Sequence, residues 1–263
     1  MARPAFAPRI FSRNYWTQTF ALVRANLAIR YRSSVAGLLW VVAYPIALYT
    51  LQCAIFSRIL RPEIPDYGLY LLTGLIPWML FTSSFDMCIG LFQFSGSQFR
   101  TVPVHPIALL SAQIIENAVG LLVCFIVLLL PSLIQHPELG FRLPLLLPAF
   151  AVLLLGVFGC AWILAIVQVF FRDTRYMISF GMGLLYLTTP VFYAESSIAP
   201  GLKPLLSINP IYLLTRPVRA ALYPPLHSEY AISLAWALLI MVLVLGSASL
   251  LWRRRRDAVF LSA

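Results

Sequence analysis

Charged side chains are scarce in this 263-residue sequence: they make up 11% of it, while apolar types make up 61%. Soluble globular chains carry about 25% charged and about 45–50% apolar residues. A soluble chain of this length leaves a large area facing water, and so few polar side chains could not cover that area. The composition excludes an ordinary soluble enzyme and a disordered chain, and it predicts an integral membrane protein.

Lysine is nearly absent, because it occurs only as Lys203, and the sequence contains no G-x-x-x-x-G-K-[ST] motif. A P-loop needs that lysine to reach the phosphates of a nucleotide. We therefore expect a chain that is not an enzyme and that binds no cofactor of its own. Any ATP-driven work then requires a partner that binds ATP and magnesium.

Potential metal ligands are few and scattered. The four cysteines lie in separate apolar stretches without C-x-x-C spacing, and the three histidines are isolated from them and from one another. Cysteines in this pattern are typical of small core residues. We expect neither a disulfide framework nor a metal site.

Six stretches are long and apolar enough to cross the hydrocarbon as helices, which takes about 20 residues each. They lie near residues 35–57, 67–91, 107–134, 144–170, 176–194 and 229–252. In such a six-span chain, both tails and the loops after the second and fourth spans lie on the same side of the membrane. Together they hold 13 of the 19 basic residues. The positive-inside rule therefore predicts an all-α membrane protein with six transmembrane helices and both termini in the cytoplasm.

Two further segments are apolar but do not span. Residues 14–31 predict an N-terminal interfacial amphipathic helix, with a disordered tail as the alternative. Residues 195–228 hold short apolar runs between prolines and predict short re-entrant external helices between spans 5 and 6. We divide the chain into a cytoplasmic tail with the interfacial helix (1–34), a transmembrane domain (35–252) and a basic cytoplasmic tail (253–263).

Aromatic residues make up 14% of the sequence, and many lie within the predicted spans. Most of them fit the belts that tryptophan and tyrosine form at membrane interfaces. Aromatic rings also stack on the apolar faces of sugars, so rings away from the helix ends are candidates for the lining of a path. Tyr44, Phe85 and Tyr186 are the best placed, followed by Trp40, Phe81 and Tyr193.

Three ionisable residues have two interpretations each. Glu116 lies about 14 Å into its predicted span at 1.5 Å per residue, and it is either a channel-lining group or part of a structural contact with Asn117 beside it. Arg30 and Arg32 precede the first span, where they would hold a substrate phosphate or attract anionic lipid headgroups.

Several motifs resemble those of type 2 ABC exporter permeases, in the same order along the chain. R-Y-R-S-S-V-A-G-L-L-W-V-V-A-Y-P (30–45) is similar to the entry to the first span of that family, and Y-L-L-T-G-L-I-P-W-M-L-F (70–81) to its second span. Further similarities are R-D (172–173), T-P-V-F-Y (189–193) and N-P-I-Y-L-L-T-R-P-V-R-A-A-L (209–222). Within the family, the chain most resembles permeases that export bacterial O-antigen, capsule or teichoic acid chains.

The resemblance implies the transmembrane channel-forming subunit of an ATP-driven exporter of lipid-linked polysaccharide in the bacterial cytoplasmic (inner) membrane. It implies a homodimer that docks two copies of an ATPase subunit, surrounded by membrane lipids, with periplasmic export components as further partners and no nucleic acid. It places the ATPase contact on residues 14–31 and 92–106; the candidate coupling residues are Phe20, Arg24, Phe99, Arg100 and Val102. A drug or lipid exporter permease of the same fold, or a teichoic acid exporter, is the alternative.

Overall fold

A computed structural model of the chain describes residues 13–32, 35–60, 64–94 and 105–262, and every regular element within these ranges is a helix. The α-helices are α1 (Arg13–Arg32), α2 (Val35–Leu60), α3 (Tyr67–Cys88), α4 (Leu91–Phe94), α5 (Pro106–Gln135), α6 (Leu143–Phe170), α7 (Thr174–Thr188), α8 (Lys203–Ile208), α9 (Pro210–Leu222) and α10 (Tyr230–Ser262). Short 3₁₀ turns cover Pro137–Arg142, Glu195–Ser197, Pro200–Leu202 and Pro224–Glu229.

Within the described residues, four helices are long and apolar enough to cross a membrane: α3, α5, and α6 and α10 with the turns before them. Helix α2 has 26 residues, but several of its side chains lie outside the described part. Helix α7 has only 15 residues and ends at Thr188, short of the boundary at 194 expected from the sequence. The cause is Pro190, since Thr189 before it is held in an extended conformation.

Helix α9 lies in the middle of the helix bundle, against α3, α6 and α10. Asn209 caps its start, because the Asn209 side-chain oxygen accepts hydrogen bonds from the backbone N–H groups of Ile211 (3.0 Å) and Tyr212 (3.3 Å), and Pro210 follows at the first helical position. Eleven of its 13 residues are buried. A segment that the sequence places in an external connection therefore forms part of the core.

A polar contact joins the two long helices α3 and α5. The side-chain amide of Asn117 donates hydrogen bonds to the hydroxyls of Ser83 (2.8 Å) and Ser84 (2.9 Å). Asn117 is half-buried, and the neighbouring Glu116 is buried, with 4% of its surface exposed. The structural contact that we considered for this pair is thus present at Asn117.

Helix α1 forms where the sequence predicts a helix, over residues 14–31. It lies against the start of α5. Its buried face carries Tyr15, Thr19 and Val23, while Trp16 and Phe20 are exposed and stack on each other. The Tyr15 hydroxyl is hydrogen-bonded to Ser111 of α5. The apolar residues of the helix therefore lie on two faces, because Trp16 and Phe20 face outward and Val23 faces the protein.

His105 fixes the first turn of α5 and its contact with α1. Its Nδ1 accepts a hydrogen bond from the backbone N–H of Ile107 (3.2 Å), and its own backbone N–H donates to Oε1 of Gln18 (3.1 Å). Burial lowers the pKa of His105. The ring is therefore neutral at physiological pH, which leaves Nδ1 able to accept.

We predict that Asn117→Ala destabilises the folded protein, because it removes both hydrogen bonds from α5 to α3. The expected loss is about 0.6–1.7 kcal/mol, the range found for such bonds between membrane helices. The measurement is the unfolding midpoint of the purified chain in detergent. Ser247→Ala is the matched control, since the exposed Ser247 hydroxyl bonds only to a carbonyl of its own helix. Equal midpoints for the two variants would contradict the prediction.

Candidate functional site

The 189–194 segment links α7 to the short 3₁₀ turn at Glu195–Ser197, and it is not helical. Side chains from two other elements hold it in place. The Asn209 side-chain amide donates a hydrogen bond to the hydroxyl of Thr189 (2.8 Å), and the Tyr67 hydroxyl donates to the carbonyl of Phe192 (2.9 Å). The segment therefore connects α3, α7 and the start of α9.

Arg219 of α9 binds the same segment from the protein interior. Its guanidinium donates hydrogen bonds to the carbonyls of Pro190 (2.6 Å) and Val191 (3.2 Å), although only 5% of its surface is exposed. It also donates to the Tyr70 hydroxyl (3.0 Å) and lies 3.9 Å from the centre of that ring. We call Arg219, Tyr70, Pro190 and Val191 the arginine clamp.

The clamp supplies partners for the two Nη atoms of a charge that is costly to bury, while Nε of Arg219 has none among the described residues. A cation out of water needs hydrogen-bond acceptors or a polarisable ring close by, and the clamp supplies both. Tyr70 extends the contact, because its hydroxyl donates to the carbonyl of Tyr193 (2.7 Å). The clamp thus fixes the backbone of the 189–194 segment from Pro190 to Tyr193.

Five aromatic rings lie in this segment or beside it. They come from α2, α3, α7 and the segment itself; these five, Phe56, Trp78, Tyr186, Phe192 and Tyr193, are called the aromatic cluster. Successive ring centres lie 5.1–5.4 Å apart. At these distances the rings contact one another and make one apolar surface with hydroxyls at its edge.

Hydrogen bonds orient the two tyrosines of the cluster. The Gln52 side-chain amide donates to the Tyr186 hydroxyl (2.7 Å), and the Tyr193 hydroxyl donates to the carbonyl of Leu187 (2.8 Å). Both tyrosines are half-buried. Their rings can therefore contact a ligand without first changing the packing of the core.

Two of the aromatic residues that the sequence singles out are strongly exposed. Trp40 is 71% exposed and Tyr44 is 61% exposed, one turn apart on the same face of α2. Tyr44 also lies in the neighbourhood of Tyr186.

Phe81 and Phe85 lie elsewhere. They pack edge to face inside the protein, with 0% and 6% of their surfaces exposed. Glu116 is buried too. None of the three lies on the surface that Trp40 and Tyr44 share, so their part in a path remains a prediction.

The structure describes only some of the residues that we expect to contact a substrate phosphate or an ATPase. Arg30 and Arg32 lie at the end of α1, and their side chains are outside the described residues. Phe99, Arg100 and Val102 also lie outside them. Phe20 and Arg24 are exposed, one helical turn apart on α1.

The sequence analysis missed Arg219 and Tyr70, the two side chains that organise the site. Arg219 was counted only as a basic residue of an external connection. A signal was present, because Arg219 stands in the run P-V-R-A-A-L (217–222), whose other residues are apolar and small enough for a buried helix. An arginine in such a run is either exposed or clamped, and the sequence does not say which.

Comparison with known proteins gives a consistent result. A sequence model of the family described as ABC-2 type transporter matches residues 17–223. An O-antigen export system permease protein RfbA of Klebsiella pneumoniae is 29% identical over 194 residues, which cover 72% of this chain and 74% of that protein. The protein of the same name from Myxococcus xanthus is 25% identical over 244 residues, covering 90% of this chain and 92% of that one. The polysialic acid transport protein KpsM of Escherichia coli is 24% identical over 246 residues, covering 92% and 95%.

We predict that Gly74→Ala disrupts the arginine clamp. A Cβ at Gly74 would overlap Nη2 of Arg219 and would lie 2.9 Å from the carbonyl oxygen of Val191. Forcing a methyl group into such a contact costs about 1–3 kcal/mol, so the unfolding midpoint in detergent should fall. Gly181→Ala is the matched control, because a Cβ there meets no atom within 4 Å. A midpoint for Gly74→Ala at or above that of the control would show that the clamp does not constrain this position.

Proposed function

Since this chain belongs to the ABC-2 type transporter family, we propose that it is the channel-forming membrane subunit of an ATP-driven exporter. We propose that the exporter moves lipid-linked polysaccharide, of the O-antigen or capsule type, across the bacterial cytoplasmic membrane. The names of the relatives support this substrate class, since they are permeases of O-antigen export and a polysialic acid transport protein.

The aromatic cluster is the observation that carries the proposal. A polysaccharide is too polar to cross lipid, yet each pyranose ring has an apolar C–H face. A path for many successive sugars must bind each one weakly, or the chain stalls in one register. Stacked rings suit this task, because each contact is worth only about 1 kcal/mol.

A homodimer would complete the path. Exposed aromatic residues lie on α2 (Trp40 and Tyr44) and on α7, where Tyr176 is 76% and Phe180 is 72% exposed. We propose that a second copy packs near these helices and that Tyr44, Tyr186 and Tyr193 line the space between the copies. The six-span arrangement, with α2 and α7 as first and fifth spans and both termini in the cytoplasm, is part of the same proposal.

ATP hydrolysis would take place in a separate subunit, because the chain has no P-loop. We propose that two ATPase subunits dock on α1 and on the link before α5. The exposed pair Phe20 and Arg24 offers an apolar contact and an ion-pair donor for this purpose. His105 would connect the two docking elements, since its backbone N–H is bonded to Gln18 of α1.

The remaining charged residues fit subsidiary roles in this scheme. We propose that Arg30 and Arg32 hold the phosphate of the lipid carrier at the entry to the first span. Glu116 would act as a helix-to-helix contact, because it is buried beside the Asn117 bridge between α5 and α3.

We predict that Tyr44→Ala and Tyr186→Ala each lower the export rate by about fivefold, the effect of losing one aromatic contact of ~1 kcal/mol. The measurement is the glycan on the cell surface, extracted at intervals after induction of the gene in a deletion strain. Membrane levels of each variant are measured in the same cells. Phe141→Ala is the control, because Phe141 is a 90% exposed aromatic residue outside the cluster.

The two parts of the proposal fail differently in this experiment. Surface glycan that persists in the deletion strain would overturn polysaccharide export as the function. Export that needs the gene but is the same in Tyr44→Ala, Tyr186→Ala and Phe141→Ala cells would overturn the aromatic path alone.

We predict that a cysteine at Lys203 reacts with a membrane-impermeant thiol reagent from outside intact cells and that a cysteine at Arg255 does not. Both positions are exposed in the structure, so a difference in labelling reports the side of the membrane and not burial. The parent is a variant without the four native cysteines, and labelling after cell lysis is the control. Labelling of Arg255→Cys in intact cells would contradict the proposed topology.

A further inference from the structure

A cavity of about 410 Å³ lies beside the 189–194 segment, between the turn at Glu195, α8, α9 and the first turns of α10. Its polar and aromatic lining includes Glu195, Ser196, Lys203, Tyr212, Arg216 and Trp236. We call it the Trp236 cavity. Its volume falls in the range of about 300–1,000 Å³ that is typical of small-molecule sites.

The charges around the cavity balance. Arg216 forms ion pairs with Glu195 (3.5 Å) and with Glu229, and Lys203 supplies a second cation. The lining itself holds these two cations and one carboxylate, and Glu229, which pairs with Arg216 from outside the lining, brings the total charge to zero. A site of this kind does not favour an anion such as a lipid phosphate, and it suits a polar ligand without net charge.

Two hydrogen-bonding atoms at the ion pair are unsatisfied. Within the part of the chain that the structure describes, Oε1 of Glu195 and Nε of Arg216 are shielded from solvent and have no hydrogen-bond partner. One is an acceptor and the other is a donor, and these are the two roles that a hydroxyl group can fill. Buried groups of this kind are costly until a partner binds them.

Trp236 provides an apolar surface at the same cavity. Its side chain is 54% exposed and stands on the first turns of α10. An indole ring beside unpaired hydrogen-bonding atoms matches the two surfaces of a pyranose, which has an apolar C–H face and a rim of hydroxyls. The acyl chain of a lipid has no group that could form hydrogen bonds with these polar atoms.

The cavity also lies next to the aromatic cluster. A smaller cavity is lined by Trp78 of the cluster, by Arg219 of the clamp, and by Tyr212 and Arg216. Tyr212 and Arg216 line the Trp236 cavity as well. The two cavities therefore share part of their lining, and the smaller one reaches the aromatic cluster at Trp78.

We propose that the Trp236 cavity is a second sugar-binding site, which holds one pyranose unit of the exported glycan on the ring of Trp236 with its hydroxyls on Glu195 and Arg216. This inference rests on the proposed function and adds to it a site outside the aromatic cluster. The site would hold the glycan at one end of the path while the next units pass the cluster.

The test uses a photo-reactive benzophenone amino acid at position 236 of the full chain, in cells that make the complete exporter and its glycan. Position 232 is the matched control, because Ile232 is 63% exposed one turn earlier on the same face of α10 and does not line the cavity. After irradiation the permease is purified and probed for attached glycan and attached lipid. We expect glycan on the chain labelled at position 236 and none on the chain labelled at position 232.

Export by Trp236→Ala and Trp236→Phe cells gives a second readout that does not depend on the photo-reactive group. The alanine variant should export about fivefold more slowly than Ile232→Ala cells, and the phenylalanine variant, which keeps an aromatic ring, should recover most of the loss. Only lipid attached at position 236, or equal export by Trp236→Ala and Ile232→Ala cells, would overturn the second site. Since these results require export that depends on the gene, they are distinct from a failure of the proposed function.

Discussion

The buried guanidinium of Arg219 is the constraint on which the packing of α9, α3 and the 189–194 segment depends. A cation without water must find acceptors nearby, and Arg219 finds them in the carbonyls of Pro190 and Val191 and in the hydroxyl and ring of Tyr70. These contacts join α9 to α3 and to the segment after α7. Two of the acceptors are main-chain carbonyls, so the binding of Arg219 depends on the backbone conformation of the segment. Gly74 leaves the space that Arg219 and Val191 occupy in this conformation.

The position of the aromatic cluster follows from that constraint. The clamp fixes the backbone around Pro190, and Phe192 and Tyr193 then project beside Trp78 and Tyr186. Because the rings are already held in place, a ligand can bind to them with little loss of side-chain conformational entropy. The polar atoms of the Trp236 cavity lie next along the same segment. A weakly binding aromatic surface and a more polar site are thus adjacent, which suits a ligand that is itself apolar on its ring faces and polar at its rim.

Much of the fold could be predicted from the sequence because the bilayer imposes simple rules. Apolar length predicts helices, and the structure confirms the helical class and the long apolar helices α3, α5, α6 and α10. The motifs predict the family, and the match over residues 17–223 confirms it. The end of α7 was predicted too late in the chain, since apolar composition continues to Ala194 while Pro190 stops the helix. Within residues 195–228, short helices were predicted and α9 is one of them, but its burial in the core could not be predicted from the sequence.

The sequence by itself determined that the chain is apolar, helical and without a P-loop, and it singled out Tyr44, Phe85 and Tyr186 as candidates from their places in the predicted spans. Only the tertiary structure decided that Phe85 lies inside the protein while Tyr44 faces out, and that Arg219 is clamped and not solvated. The physical reason is that the composition and length of a segment determine whether it is stable as a helix in contact with lipid. Which apolar face meets another helix, and which polar atom finds a partner, depend on contacts between residues far apart in the chain.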